Sequence, residues 1–361
     1  MFINVYRDKN QILNWRDFVE VRKLQRLGRT YSVSLPPNWV KENKLKPSDQ
    51  ITLTREEDGS LRLVPGIIPE KEELKTTIDV DRYKNHGLLA RLITTSYIRG
   101  CDIIEIVSKR TISENHRKEI QGMIGSLLGL GIVESTSNRV MLHSVVDSAK
   151  FPIRLLLKRL CGLVSSMFED VMRALNDKNL SLAANVTQRK NEVDKIYWLI
   201  SRQIAAASFD KTVLKKIELR GVPDMVLYTA ILPRIRSITE NALDIANNQL
   251  AIGQKKVSDP DLKKIIRLGK MTHEIFSNAV EAFFNEDVVL ANRTVESIPT
   301  FDEATEELEN KLSARIKDPD LGRRLSYILG DLRRITGYGR LIAQVAIIGS
   351  VFYKIRQQVS S

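Results

Sequence analysis

Six long amphipathic runs occupy the chain from residue 150 to its C-terminal end. Apolar residues recur in them at helical spacing, and every run is longer than the usual helix of a globular protein. Such lengths are typical of up-and-down bundles. The sequence therefore predicts helices over about 151–177, 180–207, 222–252, 260–285, 287–316 and 320–357.

These runs repeat as two units of three helices. The segment "LAANVTQRKNEVDKIYWLI" is similar to the later "LANRTVESIPTFDEATEEL", and "PRIRSITENALDIANNQLAI" is similar to "LRRITGYGRLIAQVAIIGSV". Elements that recur in the same order indicate a duplication, here of a three-helix bundle. The matched positions are Ala183 with Ala291, Asp194 with Asp302, Arg236 with Arg333, Ile238 with Ile335, and Ile245-Ala246 with Ile342-Ala343.

Residues 16–67 predict a small β unit. "FVEVRKLQRL" and "TYSVSLP" alternate apolar with polar residues, which predicts two strands on either side of Gly28. Pro37 suits the first position of a short helix, and Asp58-Gly59 marks a hairpin turn. A unit this small has too few residues for a core of its own, so we expect it to pair with a second copy.

Residues 75–148 predict a compact α/β domain, after a charged, proline-bearing connector over 65–77. A helix ends at Gly100, "CDIIEIVS" is an apolar strand, a second helix follows the cap Ser113, and "GIVESTSNRVMLHSVV" gives two strands. "GSLLGLG" lacks the lysine and hydroxyl of a phosphate loop and predicts a helix end with a turn. The predicted fold class is thus multidomain α+β, with the helical bundles at 150–361.

The composition narrows the function. The formal net charge of +12 favours acidic partners such as nucleic acid, an anionic membrane surface or phosphate-rich ligands. Cys101 and Cys161 lie far apart, which predicts buried, reduced thiols in a cytoplasmic protein. The four histidines form no pair at ligand spacing, and no nucleophile is paired with a base. We therefore expect a protein that is not an enzyme and that holds no metal or cofactor.

No membrane span or signal peptide is predicted. The chain opens on the polar "MFINVYRDKN", which has no apolar core. The most apolar run, Leu341–Tyr353, is shorter than the roughly 20 residues that a spanning helix needs, and it contains Gln344 and Ser350. It predicts a buried terminal helix.

The helical repeat resembles the PhoU family, whose fold is a tandem pair of three-helix bundles. "NEVDKIY", "RIRSITENALDIA" and "RRITGYGRLIA" are similar to the family's segments, in which carboxylates four residues apart ligate iron or another hard cation cluster. In this chain the first residue of every pair is replaced. The positions are Lys190 then Asp194, Arg236 then Glu240, Ile298 then Asp302, and Arg333 then Gly337.

Two interpretations of these bases remain open. We predict that Lys190 and Arg236 each form an ion pair with the acid four residues further along the helix. Because the two bases would repel a cation, ion pairs are favoured over a residual metal site at the three remaining acids. The alternative is an anion site, because guanidinium groups bind phosphate well, although a solvated basic helix face is the plainer interpretation. The candidates for binding a phosphate or a phosphorylated ligand are Arg236, Arg333 and Arg334.

"VRKLQRLGR", followed by a strand, a proline, a helix and a second hairpin, resembles the SpoVT/AbrB swapped-hairpin family. An archaeal group joins such a hairpin to a PhoU-like region through an α/β middle, and "YIRGCDIIEIVSK" is similar to that middle. The resemblance implies a homodimer whose first strand and following loop face DNA. The candidate DNA-binding residues are Arg22, Lys23, Arg26, Arg29 and Lys41.

Residue spacing refines these candidates. Arg22 and Arg26 share one face of a regular strand, whereas Lys23 lies on the other. Arg29, in the turn after Gly28, is placed to reach a groove, and Lys41 on the short helix suits a phosphate contact. The plainer interpretation is that these charges only keep a small β dimer in solution.

Together these features predict a DNA-binding transcriptional regulator of phosphate uptake or homeostasis, whose bundle senses a signal or docks a partner. The alternative is an adaptor that does not bind DNA, dimerises through the hairpin region and modulates a phosphate transporter or a signalling protein. The two differ in salt dependence, because DNA affinity falls steeply as salt rises.

Overall fold

A computed structural model describes residues 20–55, 59–67, 73–83, 85–253, 255 and 257–360, the last eight by their backbone alone. The chain divides into two compact units between Glu72 and Glu73. The first unit contains the predicted β unit, and the second contains both the α/β domain and the helical region. The boundaries 16–67, 75–148 and 150–361 stay predictions, and residues 16–19 lie outside the described part of the chain.

Two small antiparallel sheets and one helix form the described part of the first unit. Gly28 has φ +62°, a conformation that favours glycine, in the two-residue turn of the first sheet. The predicted order of strands, helix and hairpin is confirmed, while Asp58 of the predicted second turn lies outside the described residues. The elements are β1 (Gln25–Leu27), β2 (Thr30–Ser32), α1 (Pro37–Glu42), β3 (Ile51–Arg55) and β4 (Leu61–Pro65).

β1 is shorter than the strand predicted over 18–27. Among the described residues, 20–24 pair with no strand, because β2 ends at Ser32 and the chain then reaches Pro36-Pro37. Proline has no N–H to donate and cannot extend a ladder. The alternating pattern of residues 20–24 therefore has no strand partner among the described residues of one copy.

A four-stranded sheet and two helices open the second unit. The strand order is β5-β6-β8-β7, with β5 parallel to β6 and the other neighbours antiparallel. The predicted cap is confirmed, since Ser113 Oγ accepts from the His116 N–H at 3.2 Å. "GSLLGLG" forms the end of a helix and a turn, as predicted. The elements are β5 (Lys75–Asp79), α2 (Leu88–Ile98), β6 (Ile103–Val107), α3 (Glu114–Ser126), β7 (Leu130–Ser135) and β8 (Arg139–Ser144).

The predictions missed β5 and started α2 too early. β5 has the polar sequence Lys-Thr-Thr-Ile-Asp, in which only Ile78 is buried, so its strand character comes from pairing with β6. α2 begins at Leu88 and not near residue 81, because the Asp79 side chain caps a separate short turn over Val80–Arg82.

Nine helices form the rest of the described second unit. The six predicted runs are confirmed, but the second and fifth are each broken, at Arg189 and at Ser297, and α7 was not predicted. The helices are α4 (Ile153–Asp177), α5 (Leu180–Gln188), α6 (Lys190–Phe209), α7 (Lys211–Lys216), α8 (Val222–Ile252), α9 (Asp259–Asn285), α10 (Val288–Glu296), α11 (Ile298–Arg315) and α12 (Pro319–Ser360).

The two halves of the helical region repeat in fine detail. α4 and α9 each end at a non-glycine residue of positive φ, Lys178 and Glu286. The next helix is capped by Asn179 in the first half and by Asp287 in the second, each accepting from the backbone N–H three residues on. These pairs of positions are spaced alike, so the duplication predicted from the sequence is confirmed in the backbone.

α12 is long and apolar enough to cross a membrane by length and composition, with half of its most apolar stretch buried in the structure. Leu325, Ile328 and Leu332 are fully buried, as are Ile342 and Ala343. The predicted burial of 341–353 holds only for one face, since Ile348, Val351 and Phe352 are about half exposed.

One arginine joins the α/β domain to the helical region. Arg202 of α6 is almost completely buried, and its Nη1 donates to the carbonyls of Tyr97 and Cys101 at 2.7 and 3.0 Å. Its Nη2 donates to Asp102 Oδ1 at 3.1 Å. The next residue, Gln203, donates to the carbonyls of Ser148 and Phe151. The end of α2 thus receives its donors from α6.

Replacing Arg202 by Met should destabilise the chain by about 3 kcal/mol, because it removes the bonds that the buried guanidinium donates to the carbonyls of Tyr97 and Cys101 and to Asp102. Urea unfolding followed by circular dichroism measures the change. The matched control is Arg333→Met, which removes an exposed pair with Glu309 and should cost less than about 1 kcal/mol. Equal losses in the two variants would contradict the role given to Arg202.

Candidate functional site

The predicted DNA-binding cations all lie on the first unit. Arg22 pairs with Glu20, Arg26 lies in β1, Arg29 lies in the turn after Gly28, and Lys41 lies in the last turn of α1. These four residues and Lys23, the fifth candidate, are all exposed. Among the described residues no carboxylate pairs with Lys23, Arg29 or Lys41, so these charges are available to an anionic partner.

Strand register places Arg26 beside an aromatic ring. Arg26 lies opposite Tyr31 in the β1–β2 pair, so the two side chains share a face of the sheet. Its Nε donates to the carbonyl of Gly28 at 3.2 Å. The predicted common face of Arg22 and Arg26 requires a strand that reaches residue 22, and in the described chain β1 begins at Gln25.

The first unit buries none of its described residues, 20–55 and 59–67. Leu27, Tyr31, Leu53 and Leu61 are each more than 60% exposed. Exposed apolar residues this concentrated mark an interaction surface, because a fold without a buried core has little hydrophobic stabilisation. Leu27 and Tyr31 lie on opposite faces of the β1–β2 pair, and we call the four residues together the apolar hairpin surface.

A second candidate site is the charge cluster, formed by Lys190 and Asp194 on α6 and by Arg236 and Glu240 on α8. Lys190 Nζ lies 3.8 Å from Asp194 Oδ2 and also pairs with Glu240. Arg236 Nε lies 3.5 Å from Asp194 Oδ1. Each base therefore reaches an acid on the other helix, and the cluster ties α6 to α8.

The predicted ion pair between Lys190 and Asp194 is confirmed, whereas Arg236 pairs with Asp194 and not with Glu240, its predicted partner. Lys190 pairs with Asp194 four residues on, but Arg236 crosses to α6, where its guanidinium carbon lies 4.9 and 4.6 Å from the ring centres of Tyr197 and Trp198. The aromatic pair holds the guanidinium beside Asp194. Burial raises the pKa of Asp194, and the charges of Lys190 and Arg236 oppose that rise.

The equivalent positions in the second repeat unit do not form such a cluster. Ile298 is buried and Asp302 is exposed. Gly337, the counterpart of Glu240, has no side chain and faces open space. Arg333 pairs instead with Glu309 of α11 at 3.1 Å. Within the described part of the chain, no three histidine, cysteine or acidic side chains come together as a metal would require.

Arg334 has two partners of its own. Its Nε donates to Asn241 Oδ1 of α8 at 2.6 Å, and its Nη2 pairs with the buried carboxylate of Asp331. Burial raises the pKa of Asp331 to about 6, and the hydrogen bond from Arg334 opposes part of this rise. The three candidates for anion binding, Arg236, Arg333 and Arg334, are thus engaged by three different carboxylates.

A serine, a histidine and a glutamate meet where α4 and α9 cross. Ser165 Oγ lies 2.7 Å and Glu169 Oε1 lies 3.0 Å from the same atom, His273 Nε2. A catalytic triad needs the hydroxyl and the carboxylate on opposite nitrogens of the imidazole, so this group does not have the geometry of a hydrolase. The sequence predictions overlooked it, although His273 and Ser165 occupy the same position in the two repeat units.

Two family models match the chain. The first, described as the PhoU domain, matches residues 157–248 and again 265–346, which are the two halves of the repeat. The helical region is a pair of PhoU domains. The second model, described as the antidote-toxin recognition protein MazE, a bacterial antitoxin, matches residues 24–73. The first unit is therefore a MazE/AbrB-like domain, and both resemblances inferred from the sequence are confirmed.

Relatives named PhoU match about half of this chain. The phosphate-specific transport system accessory protein PhoU homolog 1 of Thermotoga maritima is 25% identical over 221 residues, which are 56% of this chain and 90% of that protein. Crystal structures of PhoU from Pseudomonas aeruginosa and of the phosphate transport system regulatory protein PhoU from Streptococcus pneumoniae are 20% and 16% identical, with TM-scores of 0.49 and 0.47. Each covers 55% of this chain and 94% of its own.

The raised pKa of Asp331, in the second PhoU domain, predicts a pH dependence of stability. The folded protein holds this proton more tightly than the unfolded chain, whose carboxyl titrates near 3.8, so the contribution of Asp331 to stability falls as pH rises from about 4 to 6. Relative to Asp331→Asn, the wild type should lose up to about 3 kcal/mol of unfolding free energy between pH 4 and pH 7. Urea unfolding at four pH values measures this difference.

Asp320→Asn is the matched control. The pKa of Asp320 is lowered, chiefly by its bonds from Lys255 and Arg323, so its titration lies below this pH range. Its difference from the wild type should stay constant between pH 4 and pH 7. A constant difference for Asp331→Asn as well would contradict the burial effect.

Proposed function

We propose that this chain is a DNA-binding transcriptional regulator of phosphate uptake, which dimerises through its MazE/AbrB-like domain. Its PhoU domains sense a signal or dock a partner in phosphate homeostasis. The observation that carries the proposal is the apolar hairpin surface: a domain with no buried described residue needs a second copy to complete it. The same domain carries the candidate DNA-binding cations.

Symmetry supports the DNA-binding role. A dimer doubles every cation of the domain, so Arg22, Lys23, Arg26, Arg29 and Lys41 would each occur twice. Phosphate contacts from such groups supply the affinity for a duplex, and a guanidinium at a turn, such as that of Arg29, is suited to a groove. The net charge of +12 favours the same partner.

The PhoU domains support the link to phosphate. The relative in Thermotoga maritima is named an accessory protein of a phosphate-specific transport system, and we extend that role to this chain. The charge cluster supports binding of a partner without metal, because Lys190 and Arg236 neutralise the acids that would otherwise attract a cation. We propose no catalytic step, and we place the protein in the cytoplasm, where its two buried cysteines, both free, would remain reduced.

An adaptor that dimerises but does not bind DNA is the second candidate. The pairing of Arg22 with Glu20 favours it, because a cation already neutralised at the start of the domain contributes less to DNA affinity. In this case the MazE/AbrB-like domain only joins two chains, and the PhoU domains dock on a phosphate transporter or a signalling protein.

Fluorescence anisotropy with a labelled duplex, at several salt concentrations, separates the two candidates. The regulator should bind even random duplex at low salt, with a steep decline as salt rises. Arg22→Ala/Arg29→Ala should weaken binding at least about tenfold and flatten the salt slope, by about 0.9 for each phosphate contact that is lost.

The control is Arg323→Ala/Arg333→Ala, which removes the same charge from exposed positions of the second PhoU domain. This variant should bind DNA as the wild type does. Absence of binding by the wild type at low salt would reject the regulator in favour of the adaptor, and an equal loss in the control would show that net charge alone attracts DNA.

A further inference from the structure

The first helices of the two PhoU domains, α4 and α9, meet at equivalent residues. Ser165 and His273 are 108 residues apart, as are the starts of the two PhoU matches, and their side chains touch at 2.7 Å. A residue that contacts its own equivalent lies on the axis relating the two domains. Every position on one side of this contact therefore has an equivalent position on the other, whatever residue occupies it.

Two cavities flank this axis. One has a volume of about 430 Å³ and is lined by residues that include Phe168, Arg173 and Lys270. The other has about 370 Å³ and is lined by residues that include Phe276 and Glu281, the equivalents of the first two. We call the first the cationic cavity and the second the mate cavity, because their walls are built from equivalent positions of the two domains.

The charges of the two cavities differ. The cationic cavity has Arg173 on the α4 side and Lys270 on the α9 side, both exposed at its mouth. The equivalent of Arg173 in the mate cavity is Glu281, and that of Lys270 is Gly162. Among the lining residues of the mate cavity there are thus one cation, Lys158, and one acid, Glu281, while Arg154 of the same helix lies outside the lining.

The cations of the cationic cavity are weakly compensated. Arg173 lies 3.3 Å from Asp170, but that carboxylate is also held by Arg189 at 2.9 Å. Among the described residues, no carboxylate pairs with Lys270. Glu169 is the one acid in the lining, and it is directed to His273 at the axis. An anion at the mouth would therefore meet two cations from two helices.

The floor of the same cavity is apolar and includes an aromatic ring. Phe168 is buried, and its ring lies nearly parallel to the imidazole of His273, with 6.2 Å between ring centres. Met172 and Ile266 complete the floor. Met172 packs against Gly269, in space that a side chain on residue 269 would otherwise fill. In the mate cavity the corresponding wall carries Phe284, and the cations of Arg154 and Lys158 lie over its ring, each 5.3 Å from the centre.

We propose that the cationic cavity binds an organic anion that carries a flat apolar group, of the aryl phosphate class. Arg173 and Lys270 hold the charged group at the mouth, and the apolar group packs on Phe168, Met172 and Ile266. Ligand sites typically combine an apolar lining with a few placed polar groups, and a volume of about 430 Å³ suits a small organic molecule. Two cations at the mouth disfavour a metal ion. This site is separate from the DNA-binding role and does not depend on it.

Isothermal titration calorimetry of the full chain with 1-naphthyl phosphate tests the proposal. Inorganic phosphate and 1-naphthol, which each offer half of the recognised chemistry, should bind at least tenfold more weakly. Arg173→Gln/Lys270→Gln should weaken binding of 1-naphthyl phosphate at least tenfold, because both charges that meet the phosphate are removed. Asn176→Phe, which introduces the ring that its equivalent Phe284 supplies, should also weaken it by narrowing the cavity.

Lys158→Gln is the matched control, since it removes the exposed cation of the mate cavity. It should bind 1-naphthyl phosphate within twofold of the wild type. Absence of binding by the wild type at millimolar ligand, or an equal loss in Lys158→Gln and in the double variant, would overturn the proposal. Both variants change exposed side chains, and circular dichroism confirms that they fold.

Discussion

α12 packs so closely along α8 and α9 that a Cβ at either of two of its glycines would displace a neighbouring side chain. A Cβ on Gly339 would lie 2.9 Å from Ile275 Cγ2, and one on Gly349 would lie 2.9 Å from Leu227 Cδ1. One turn before Gly339, Thr336 of α12 shares a buried hydrogen bond of 3.1 Å with Thr272 of α9. The last helix of the second PhoU domain thus buries its apolar face against α9 of its own domain and α8 of the first, so that the two repeats share one core. This packing also accounts for the high hydropathy of α12.

The duplication could be predicted from the sequence because it rests on helical periodicity and on matched residues such as Asp194 and Asp302. The Ser113 cap and the Gly28 turn were predictable for a similar reason, since each depends on the chemistry of one or two neighbouring residues. β5 was missed because its strand character depends on β6, which is distant in sequence. The breaks at Arg189 and Ser297 were missed because the helical pattern continues across both.

The candidate sites show the same division between local and tertiary information. The replacement of acids by Lys190 and Arg236 was visible in the sequence, and so was their ability to neutralise the remaining carboxylates. The crossing of Arg236 to Asp194, under Tyr197 and Trp198, depends on how α6 and α8 pack. The cationic cavity likewise depends on the crossing of α4 and α9, which periodicity alone does not determine.

The two units of the chain differ in how completely they are folded by their own residues. The PhoU domains bury a continuous core, whereas the MazE/AbrB-like domain leaves its apolar residues exposed. Charge alone would explain attraction to DNA, but the exposed apolar residues require a specific partner, and we propose that a second copy of the chain is that partner. The regulatory proposal therefore depends first on self-pairing of this small domain.

Sedimentation equilibrium of the full chain, compared with Leu27→Glu/Leu53→Glu, tests that dependence most directly. Both leucines belong to the apolar hairpin surface and make no buried contact within one copy, so the substitutions should separate the chains and leave each folded. The account predicts twice the mass of the chain for the wild type and a single mass for the variant at micromolar concentration. A monomeric wild type, or a variant that remains a dimer, would contradict it.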